Sequence, residues 1–380
     1  MKIALIGEYS RLHNSLKEGL SALGYEVQLF ANRDAFKNYP SDVSFEASLT
    51  TNHFFFKNLN RVFRRILKIN LQETERGIRF YFLLPQLKHF DVVQCINSNA
   101  IGTHPSWSRF FLKRIGRHNR KLALLHCGDD TPVIEVYQQG SMKYSILTPL
   151  SEQKKPESYF SYSLKYLTPA FRKLYEAFLK NNALLISCDW DYKIPLDQKK
   201  LKNTFIPNPV NIDKISFESH TFEKVYIFLG INTLNSFKKG VDIFEQALKR
   251  IESKYPNQIT IVMTTNLPYQ EYLKAYAPAH ILLDQIYAYD QGYNALEAMA
   301  RGKVVFTGAE QEFLDHYGLQ ADEVCINALP DVDYLVEKLS MLIENPAKIK
   351  EIGRNARAFI EREHHYIKIA ERYLDTWLKT

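Results

Sequence analysis

Residues 284–305 read DQIYAYDQGYNALEAMARGKVV, and this stretch decides the predicted fold. It runs from the end of one strand through a glycine turn into a short helix, a second glycine and another apolar strand. We expect Gly292 to supply unusual backbone angles and close approach before the helix. Gly302 is placed to end the helix, as glycine commonly does. The stretch is therefore predicted to be a strand–helix–strand unit of an α/β sheet.

The turn before this helix has the chemistry of a nucleotide site. The first turn of a helix presents unpaired N–H groups and the positive end of its dipole, and both suit a phosphate. Glu297 lies within the helix, where its carboxylate can accept hydrogen bonds from the two hydroxyls of a ribose. The alternative is a solvated glutamate in an ordinary strand–helix–strand unit, and the residues alone leave both interpretations open.

The same segment resembles the C-terminal signature of the retaining GT-B glycosyltransferases of family four. In that signature two glutamates, with seven residues between them, precede Ala-Met-Ala-x-Gly-x-Pro-Val. Glu297 matches the second glutamate and is followed by the same Ala-Met-Ala-x-Gly run. Asp284, Gln285 and Gly292 match a bacterial branch of surface-polysaccharide enzymes that carries Asp-Gln, a glycine and Glu-Ala-Met-Ala. The resemblance implies two doubly wound, Rossmann-like domains that face a central cleft.

Two positions depart from this signature. The first glutamate would fall at Tyr289, so Asp290, one residue along, is the candidate to replace its carboxylate. Val304 stands where the family has proline, which is a mild change for the structure. Because the family's first glutamate lies close to the transferred sugar, its absence bears on the identity of the donor more than on the fold.

A second match concerns the diphosphate of the donor. Lys238, Lys239 and Gly240 follow an apolar run and a loop, and cations at the carboxyl end of a strand suit a diphosphate. Two exposed surface lysines would give the same pattern. The family carries Gly-Arg, a loop and Lys-Gly here, which implies that Lys239 grips the diphosphate, while Asn232 stands near the family arginine. The residues predicted to bind the donor are Glu297, Lys239, Gly240, Gly292, Asn294, Lys238 and Asn232.

Two polar loops follow strands of the first half of the chain. The run GEYSRLHN at 7–14 follows the first strand, and in GT-B enzymes this loop faces the donor phosphates, so Arg11 or His13 is predicted to contact a phosphate or sugar. Asp129 follows the strand that ends at His126, although an aspartate there can equally cap a helix. The predicted catalytic residues are Asp129, His13 and Asp290, and Asp189 and Asp191 are further candidates.

Short apolar runs alternate with helical patterns in both halves, which predicts an α/β fold of two doubly wound domains. The first domain is expected at 1–206 and the second, which would hold the donor, at 207–365. Pro-Asn-Pro-Val at 207–210 is predicted to be the hinge, and a last helix at 366–380 is expected to pack back on the first domain. The predicted strands are 3–6, 27–30, 92–96, 122–126, 183–187, 225–229, 259–263, 281–283, 304–306 and 324–326.

The composition argues against several classes of protein. With 380 residues and 46% apolar content, the chain is long enough to bury two cores. A net charge of +7 suits a phosphate-bearing ligand or an anionic membrane, and it is too small to indicate nucleic-acid binding by itself. No apolar run approaches the ~20 residues of a transmembrane helix, and the N-terminus lacks the pattern of a signal peptide.

The cysteine spacing indicates neither a metal site nor a disulfide framework. The four cysteines lie far apart and are expected to be reduced, which is typical of the cytoplasm. The sequence also shows no Ser–His–Asp arrangement. We therefore expect no metal and no cofactor besides the nucleotide-sugar substrate, as the resemblance to metal-independent retaining enzymes also implies. The cysteines are Cys95, Cys127, Cys188 and Cys325.

A basic amphipathic helix is predicted at 55–69, within a segment (47–72) that contains no acidic residue. Charge of one sign beside aromatic side chains is typical of a helix that lies in an anionic membrane interface. The alternative is a surface helix whose apolar face covers the core of the first domain. The basic face holds Lys57, Arg61, Arg64, Arg65 and Lys68, and the apolar face holds Phe55, Phe56, Leu59, Val62, Phe63, Ile66 and Ile69.

These observations predict a cytoplasmic glycosyltransferase on the inner face of the membrane. It would transfer a sugar, with retention, from a nucleotide sugar to a saccharide or lipid-linked acceptor of a bacterial surface polymer. A catalytically degenerate GT-B protein that acts as a scaffold is one alternative, motivated by Tyr289 and Asn232. Another nucleotide-sugar enzyme of the same fold, an epimerase or a phosphorylase, is a second. Nucleic-acid binding has only the net charge in its favour.

Overall fold

The computed structural model describes residues 1–32, 39–67, 69–218 and 223–379. Its strands and helices fall into two successive groups. The first group contains β1 (Lys2–Ile6), α1 (Leu12–Ala22), β2 (Glu26–Ala31), β3 (Val43–Ser44), α2 (Ser48–Asn52), α3 (Phe54–Ile66), α4 (Leu71–Leu83), β4 (Val92–Cys95), α5 (Pro105–His118), β5 (Lys121–His126), α6 (Thr131–Gln139), α7 (Thr148–Ser151), α8 (Ser161–Leu164), α9 (Pro169–Lys180), β6 (Leu184–Ser187), α10 (Trp190–Gln198) and β7 (Asn203–Phe205). The second group contains β8 (Val225–Ile231), α11 (Val241–Lys254), β9 (Ile259–Thr265), α12 (Tyr269–Tyr276), β10 (Ile281–Leu283), α13 (Tyr293–Ala300), β11 (Val304–Thr307), α14 (Gln311–Tyr317), β12 (Ile326–Asn327), α15 (Val332–Glu344), α16 (Pro346–Glu363) and α17 (Tyr366–Leu378).

Each group of strands forms a separate parallel sheet. Within the described residues the first sheet has the order β3-β2-β1-β4-β5-β6-β7, and the second has the order β12-β11-β10-β8-β9. The strand order reverses between β1 and β4 in the first sheet and between β8 and β10 in the second. In open α/β sheets ligands bind at such reversals, outside the carboxyl ends of the strands. The predicted class of two doubly wound parallel sheets is confirmed.

The central strands are buried on both faces, and this explains why they appear in the sequence as unbroken apolar runs. Ile3 and Leu5 of β1 are fully buried, and Ile3 pairs with Val27 on one side and Val92 on the other. All ten predicted strands form, with ends that differ by one or two residues. The predicted strands do not include β3 and β7, because edge strands of two and three residues are too short to show a periodic pattern.

The last helix packs on the first group of elements. Tyr373 and Trp377 of α17 are fully buried in the apolar core that surrounds the first sheet. A side chain at Gly19 of α1 would overlap the backbone oxygen of Tyr366, so these two helices approach closely. Lys121 Nζ also donates to the Trp377 carbonyl at 2.5 Å. The contacts are those expected of a helix that returns to the first domain.

The two connections between the sheets lie side by side. Val210 N donates to the His364 carbonyl at 2.7 Å, and Tyr366 N donates to the Val210 carbonyl at 3.1 Å. His364 also hydrogen-bonds the Asn208 carbonyl at 2.8 Å through its ring. The segment predicted to be a hinge is therefore held against the start of α17.

The segment between α6 and α9 crosses to the second sheet, which the sequence did not indicate. Tyr144 is buried in the apolar core around the second sheet, and its hydroxyl donates to the Glu310 carboxylate. Lys143 Nζ pairs with the same carboxylate at 2.9 Å. Residues that precede 206 in the chain therefore form part of the packing of the second domain, and this segment joins the two halves.

Candidate functional site

Two of the predicted donor residues, Lys239 and Asn294, meet at the carboxyl end of β10. The Asp284 side chain is only 2% exposed, and Lys239 Nζ pairs with its Oδ1 at 2.9 Å. Asn294 Nδ2, at the start of α13, donates to the same oxygen at 2.9 Å, and Asn294 Oδ1 accepts from the Tyr272 hydroxyl at 2.9 Å. The structure thus brings Lys239 and Asn294 together around the buried carboxylate of Asp284. The sequence analysis used Asp284 only as one residue of the family motif and gave it no role.

Gly240 explains how Lys239 is held there. Its φ of 68° lies in the left-handed region, which favours glycine, and a Cβ would lie 2.9 Å from the Ile286 side chain. Ile286 N in turn donates to the Lys239 carbonyl at 3.1 Å. The glycine therefore allows the start of α11 to pack against the loop after β10, and this places the Lys239 ammonium beside Asp284.

The two glycines of residues 284–305 behave differently from each other. Gly292 has a φ of −68°, an ordinary value, so the prediction of unusual backbone angles there is wrong. A Cβ at Gly292 would lie 3.9 Å from Asp284 Oδ2, so what the glycine provides is open space over the buried carboxylate. Gly302 has a φ of 84° and donates to the Met299 carbonyl at 2.9 Å, which confirms it as the residue that ends α13.

Glu297 is half-buried on α13 and faces the first domain. Burial lowers the pKa of Arg11, but the negative charges of Glu18 and Glu297 raise it above its ordinary value overall. The Tyr293 hydroxyl, one turn earlier on α13, lies 2.5 Å from Ser15 Oγ of α1. The first loop and α13 therefore face each other across the cleft, with the Glu297 carboxylate and the Arg11 guanidinium on opposite sides.

Lys238 joins the two domains through a buried hydrogen-bond chain. Its Nζ donates to Ser163 Oγ at 2.8 Å, and Ser163 Oγ donates to Asp129 Oδ2 at 2.5 Å. Asp130, and not Asp129, caps α6, because its Oδ1 accepts from Thr131 N at 2.8 Å. Asp129 is thus a half-buried carboxylate at the cleft, linked to a lysine of the opposite domain.

Two predicted contact residues make hydrogen bonds within their own domains. His13 is fully buried, and its Nδ1–H donates to the Gly7 carbonyl at 2.7 Å while Gln94 Nε2 lies 3.2 Å from its Nε2. Burial lowers the pKa of His13 to about 4, so the ring is neutral near pH 7. Asn232 Oδ1 accepts from Leu234 N at 3.0 Å and closes a turn. The structure corrects the expectation that His13 reaches a substrate: its ring holds the loop after β1 from behind.

Asp290 lies in a cluster of three acids that spans the domain interface. The carboxylate oxygens of Asp189, Asp191 and Asp290 all lie within 4.8 Å of one another. Asp290 Oδ2 accepts from Trp190 N at 3.1 Å, and Asp191 accepts from Tyr289 N at 3.1 Å. The sequence analysis proposed each of these acids as a separate candidate, and only the fold shows that they are neighbours.

Burial governs the protonation of this acid cluster. It raises the pKa of Asp191 to about 7, and it raises the pKa of Asp290 well above its ordinary value with a further contribution from the Asp191 charge. Tyr289 does not take the place of the family glutamate, because its hydroxyl accepts from Lys143 N at 2.9 Å. Asp290 therefore belongs to the packing between the domains, and the structure does not place it on the open cleft.

A cavity of about 560 Å³ opens at the carboxyl ends of the first sheet. The sequence analysis did not predict this cavity, although Glu8, Tyr9, Asn32 and Asn99 lie in the loops after β1, β2 and β4, where the strand-end rule applies. No local signal marks Arg76 or Lys165, which reach the cavity from helical segments. The lining residues are Glu8, Tyr9, Asn32, Arg64, Asn70, Glu73, Arg76, Asn99, Ala100, Gly102, Ser161, Tyr162 and Lys165.

The basic helix predicted at 55–69 forms as α3, and it does not cover the core. Phe54 is 80% exposed and Ile66 is 70% exposed, and Asn60 is the one buried residue of this helix. The predicted basic residue Lys68 lies outside the described residues. Among the described helices, none is both long enough and apolar enough to cross a bilayer. Exposed apolar side chains continue on α4 and α5, with Ile78, Tyr81, Phe82, Trp107 and Phe110.

Residues 240–375 match the model of a glycosyl transferase-like family. This part of the chain contains Glu297, Gly292 and the whole of α13. A search of curated protein sequences found no match to this chain.

Solved structures resemble the whole chain. Sucrose-phosphate synthase of Thermosynechococcus elongatus has a TM-score of 0.62 and 15% identity over all of this chain and 98% of its own. HepE of Anabaena, solved in complex with UDP, has a TM-score of 0.57 and 13% identity over all of both chains. TarM of S. aureus has a TM-score of 0.56 and 12% identity over 80% of this chain and 59% of its own. The chain has the GT-B fold.

Proposed function

We propose that this protein is a glycosyltransferase that moves a sugar from a nucleotide-sugar donor, with retention, to a saccharide or lipid-linked acceptor of a bacterial surface polymer. The observation that carries the proposal is the donor-side arrangement around α13. Lys239 and Asn294 meet at the buried Asp284, and Glu297 faces the first loop across the cleft. The glycosyl transferase-like match includes this helix, and the similar protein HepE was solved with UDP and with UDP-glucose.

Each donor residue has a distinct part in this proposal. The Glu297 carboxylate accepts hydrogen bonds from the ribose hydroxyls, and the Lys239 ammonium binds the diphosphate. The N-terminal end of α13 adds backbone N–H groups over the space that Gly292 leaves open. Lys239 is paired with Asp284, so the bound diphosphate shares its ammonium with a buried carboxylate. That pair keeps the lysine in place before the donor arrives.

Transfer itself depends on the leaving diphosphate. As its bond to the sugar breaks, negative charge grows on the diphosphate, and Lys239 with the helix end stabilises that charge. The acceptor hydroxyl attacks from the same face of the sugar, and its proton passes to the diphosphate oxygen whose bond to the sugar breaks. Asp129, at the cleft, is the carboxylate available to the reacting groups. We propose that no metal takes part, so that a chelator leaves the rate unchanged and the product keeps the anomeric configuration of the donor by NMR.

A first experiment measures the thermal stability of the full chain with a panel of nucleoside diphosphates and their sugars. A donor present at 100 times its dissociation constant stabilises the folded protein by about 2.7 kcal/mol. A selective shift identifies the donor. Product analysis with that donor then separates transfer, which makes a new glycosidic bond, from epimerisation or phosphorolysis. A panel without any shift contradicts the proposal.

A catalytically degenerate scaffold is the second candidate, and two contacts favour it. Tyr289 is engaged by Lys143, and Asn232 closes its own turn, so neither supplies the carboxylate or the cation of the family site. A scaffold would show no donor-dependent shift, or a shift without product when acceptors of many kinds are offered. An active transferase shows a donor-dependent shift and also forms product.

The exposed face of α3 is proposed to lie on an anionic membrane. Phe54, Phe55 and Ile66 are exposed beside Arg61 and Arg65, so the helix offers apolar contact and positive charge together. No acidic residue lies between 47 and 72 to oppose the attraction. An anionic bilayer would contact both features, because its headgroups attract the basic side chains and its hydrocarbon region accepts the apolar ones.

Charge reversal on this helix should release the protein from anionic vesicles. Each basic residue near an anionic surface contributes about 1 kcal/mol, so Arg61→Glu with Arg65→Glu should weaken binding at least roughly 30-fold. Co-sedimentation with phosphatidylglycerol vesicles at moderate salt measures this. Lys249→Glu with Lys274→Glu makes the same change of charge on exposed residues of the second domain and should bind normally. Equal loss in both pairs would mean that only net charge matters.

A further inference from the structure

We propose that the cavity of the first domain is the acceptor site and that it accepts a saccharide carrying a phosphate. The cations Arg64, Arg76 and Lys165 line this cavity and would hold the phosphate. That the ligand is an acceptor rests on the proposed transferase function. That the site binds an anion is inferred from the residues of the cavity alone.

The cavity holds more positive charge than its own acids neutralise. Three cations and two carboxylates, Glu8 and Glu73, line it. Among the described residues, no ion pair within 4.0 Å joins Arg64, Arg76 or Lys165 to an acid. Glu8 Oε2 is already committed, since it accepts from Asn14 N at 2.8 Å and from Asn14 Nδ2 at 2.6 Å. A positive field therefore remains for a bound anion.

Lys165 is a largely buried cation at this cavity. Burial lowers the pKa of Lys165 to about 8; among the neighbouring charges, Glu73 and Asp129 raise it, and Arg76 and Lys238 lower it by smaller amounts. Its Nζ lies 3.6 Å from the centre of the Tyr162 ring, a cation–π contact that offsets part of the lost hydration. A phosphate bound between these cations would attract each of them and so offset their mutual repulsion.

The remaining lining suits a sugar. Tyr9 and Tyr162 offer aromatic rings, and the amides of Asn32, Asn70 and Asn99 offer donors and acceptors for hydroxyls. Asn99 Oδ1 is buried and, among the described residues, has no hydrogen-bond partner. A volume of about 560 Å³ lies within the range of small-molecule sites and has room for one or two sugar rings with a phosphate.

Arg64 connects this cavity with the proposed membrane face. It lies on α3, the helix whose Phe55 and Ile66 are exposed, and it lines the cavity at the same time. A phosphate at Arg64 would sit where a lipid chain could continue along the helix into the bilayer. A soluble sugar phosphate offers the same phosphate chemistry without the chain.

Calorimetric titration of the full chain tests the proposal with four probes and UDP. Glucose 1-phosphate and farnesyl phosphate carry the phosphate, and glucose and farnesol are their neutral counterparts. The wild-type protein should bind a phosphorylated probe at least about tenfold more tightly than its neutral counterpart, because a charge-assisted hydrogen bond contributes strongly. Tighter binding of farnesyl phosphate indicates a lipid-linked source, and tighter binding of glucose 1-phosphate indicates a soluble one.

Variants locate the site. Arg64→Gln and Lys165→Gln should each weaken the phosphorylated probe about tenfold or more, and Arg117→Gln, an exposed residue of α5 outside the cavity, should not. Arg64 is exposed, so its variant should fold even if Lys165→Gln does not. UDP should bind all of them equally. Unchanged probe binding in both cavity variants would overturn the anion site, whereas failure of UDP to bind any protein would overturn the donor proposal and leave the cavity result intact.

Discussion

Glu297→Gln is expected to reduce the affinity for the nucleotide donor about 100-fold, a loss of about 3 kcal/mol. The change keeps the size of the side chain but replaces a carboxylate that accepts two hydrogen bonds by an amide that accepts fewer and carries no charge. Titration calorimetry with UDP, or with the nucleotide that the stability panel selects, measures the loss directly. Turnover should fall at least as far, because the donor must bind before the sugar can move.

The control for this prediction is Glu252→Gln, which makes the same chemical change on an exposed part of α11. It should leave donor binding unchanged. Glu297 also faces Arg11, so the unfolding temperature of the unliganded variant must be compared with that of the wild type. If Glu297→Gln loses stability but binds nucleotide normally, the carboxylate is an interface residue and our assignment of the ribose contact is wrong.

Stability is expected to fall as the pH rises from about 4 to about 7, because of the acid cluster between the domains. The pKa of Asp191 is raised by burial to about 7, whereas its ordinary value is 3.8. Between these values the folded chain keeps a proton that the unfolded chain has released, so protonation favours folding. The contribution is complete below about pH 4 and is lost as the pH rises through the raised pKa of about 7.

Asp290→Asn isolates this effect from the other titrating groups. The amide that replaces the carboxyl would be neutral at every pH, and its oxygen can still accept from Trp190 N, as Asp290 Oδ2 does at 3.1 Å. Relative to the wild type, the variant should be nearly unchanged near pH 4 and increasingly more stable above it, by up to about 1.4 kcal/mol for each pH unit until the folded carboxyl itself ionises. Chemical denaturation at a series of pH values gives the two curves.

Two controls accompany these curves. Asp331→Asn changes an aspartate that caps α15 at the surface, away from the interface, and should not change the slope in this pH range. Repeating the wild-type series with a chelator and with excess Ca²⁺ tests a different occupant of the cluster. If the protein with Ca²⁺ becomes more stable as the pH rises, the three carboxylates bind a cation and do not share protons. The predicted fall of stability with rising pH would then be wrong.

The arrangement of residues around α13 was largely predictable because it is local in the chain. The turn, helix and glycine stop between 284 and 305 are neighbours in sequence, so the pattern contains Glu297, Asn294 and the buried Asp284 in one unit. Lys239 is an exception, since it comes from a different loop. It was predicted because it follows a strand and a loop and because the resemblance implies a diphosphate contact there. The structure brings it to Asp284 because β8 and β10 are paired in parallel and end at the same edge of the sheet.

The first domain was less predictable, because its chemistry depends on which residues the fold turns inward. His13 stands in a polar loop, and its sequence context is the same whether the ring faces the cleft or the core. The fold buries it against Gly7 and Gln94, since a side chain on the inner face of α1 must pack against the sheet. Arg76 and Lys165 come from helical segments far apart in the chain and meet only in the folded cavity.

The sequence by itself determined the architecture and the helix α13 that follows the glycine turn. Buried parallel strands must be apolar on both faces, and a helix that follows a glycine turn is visible in consecutive residues. The tertiary structure alone decided which charges lie together, above all Asp189 and Asp191 with Asp290, and Lys165 with Arg76. The reason is physical: the energy of a charge depends on its burial and on the neighbours that the fold supplies, and neither is contained in the order of the residues.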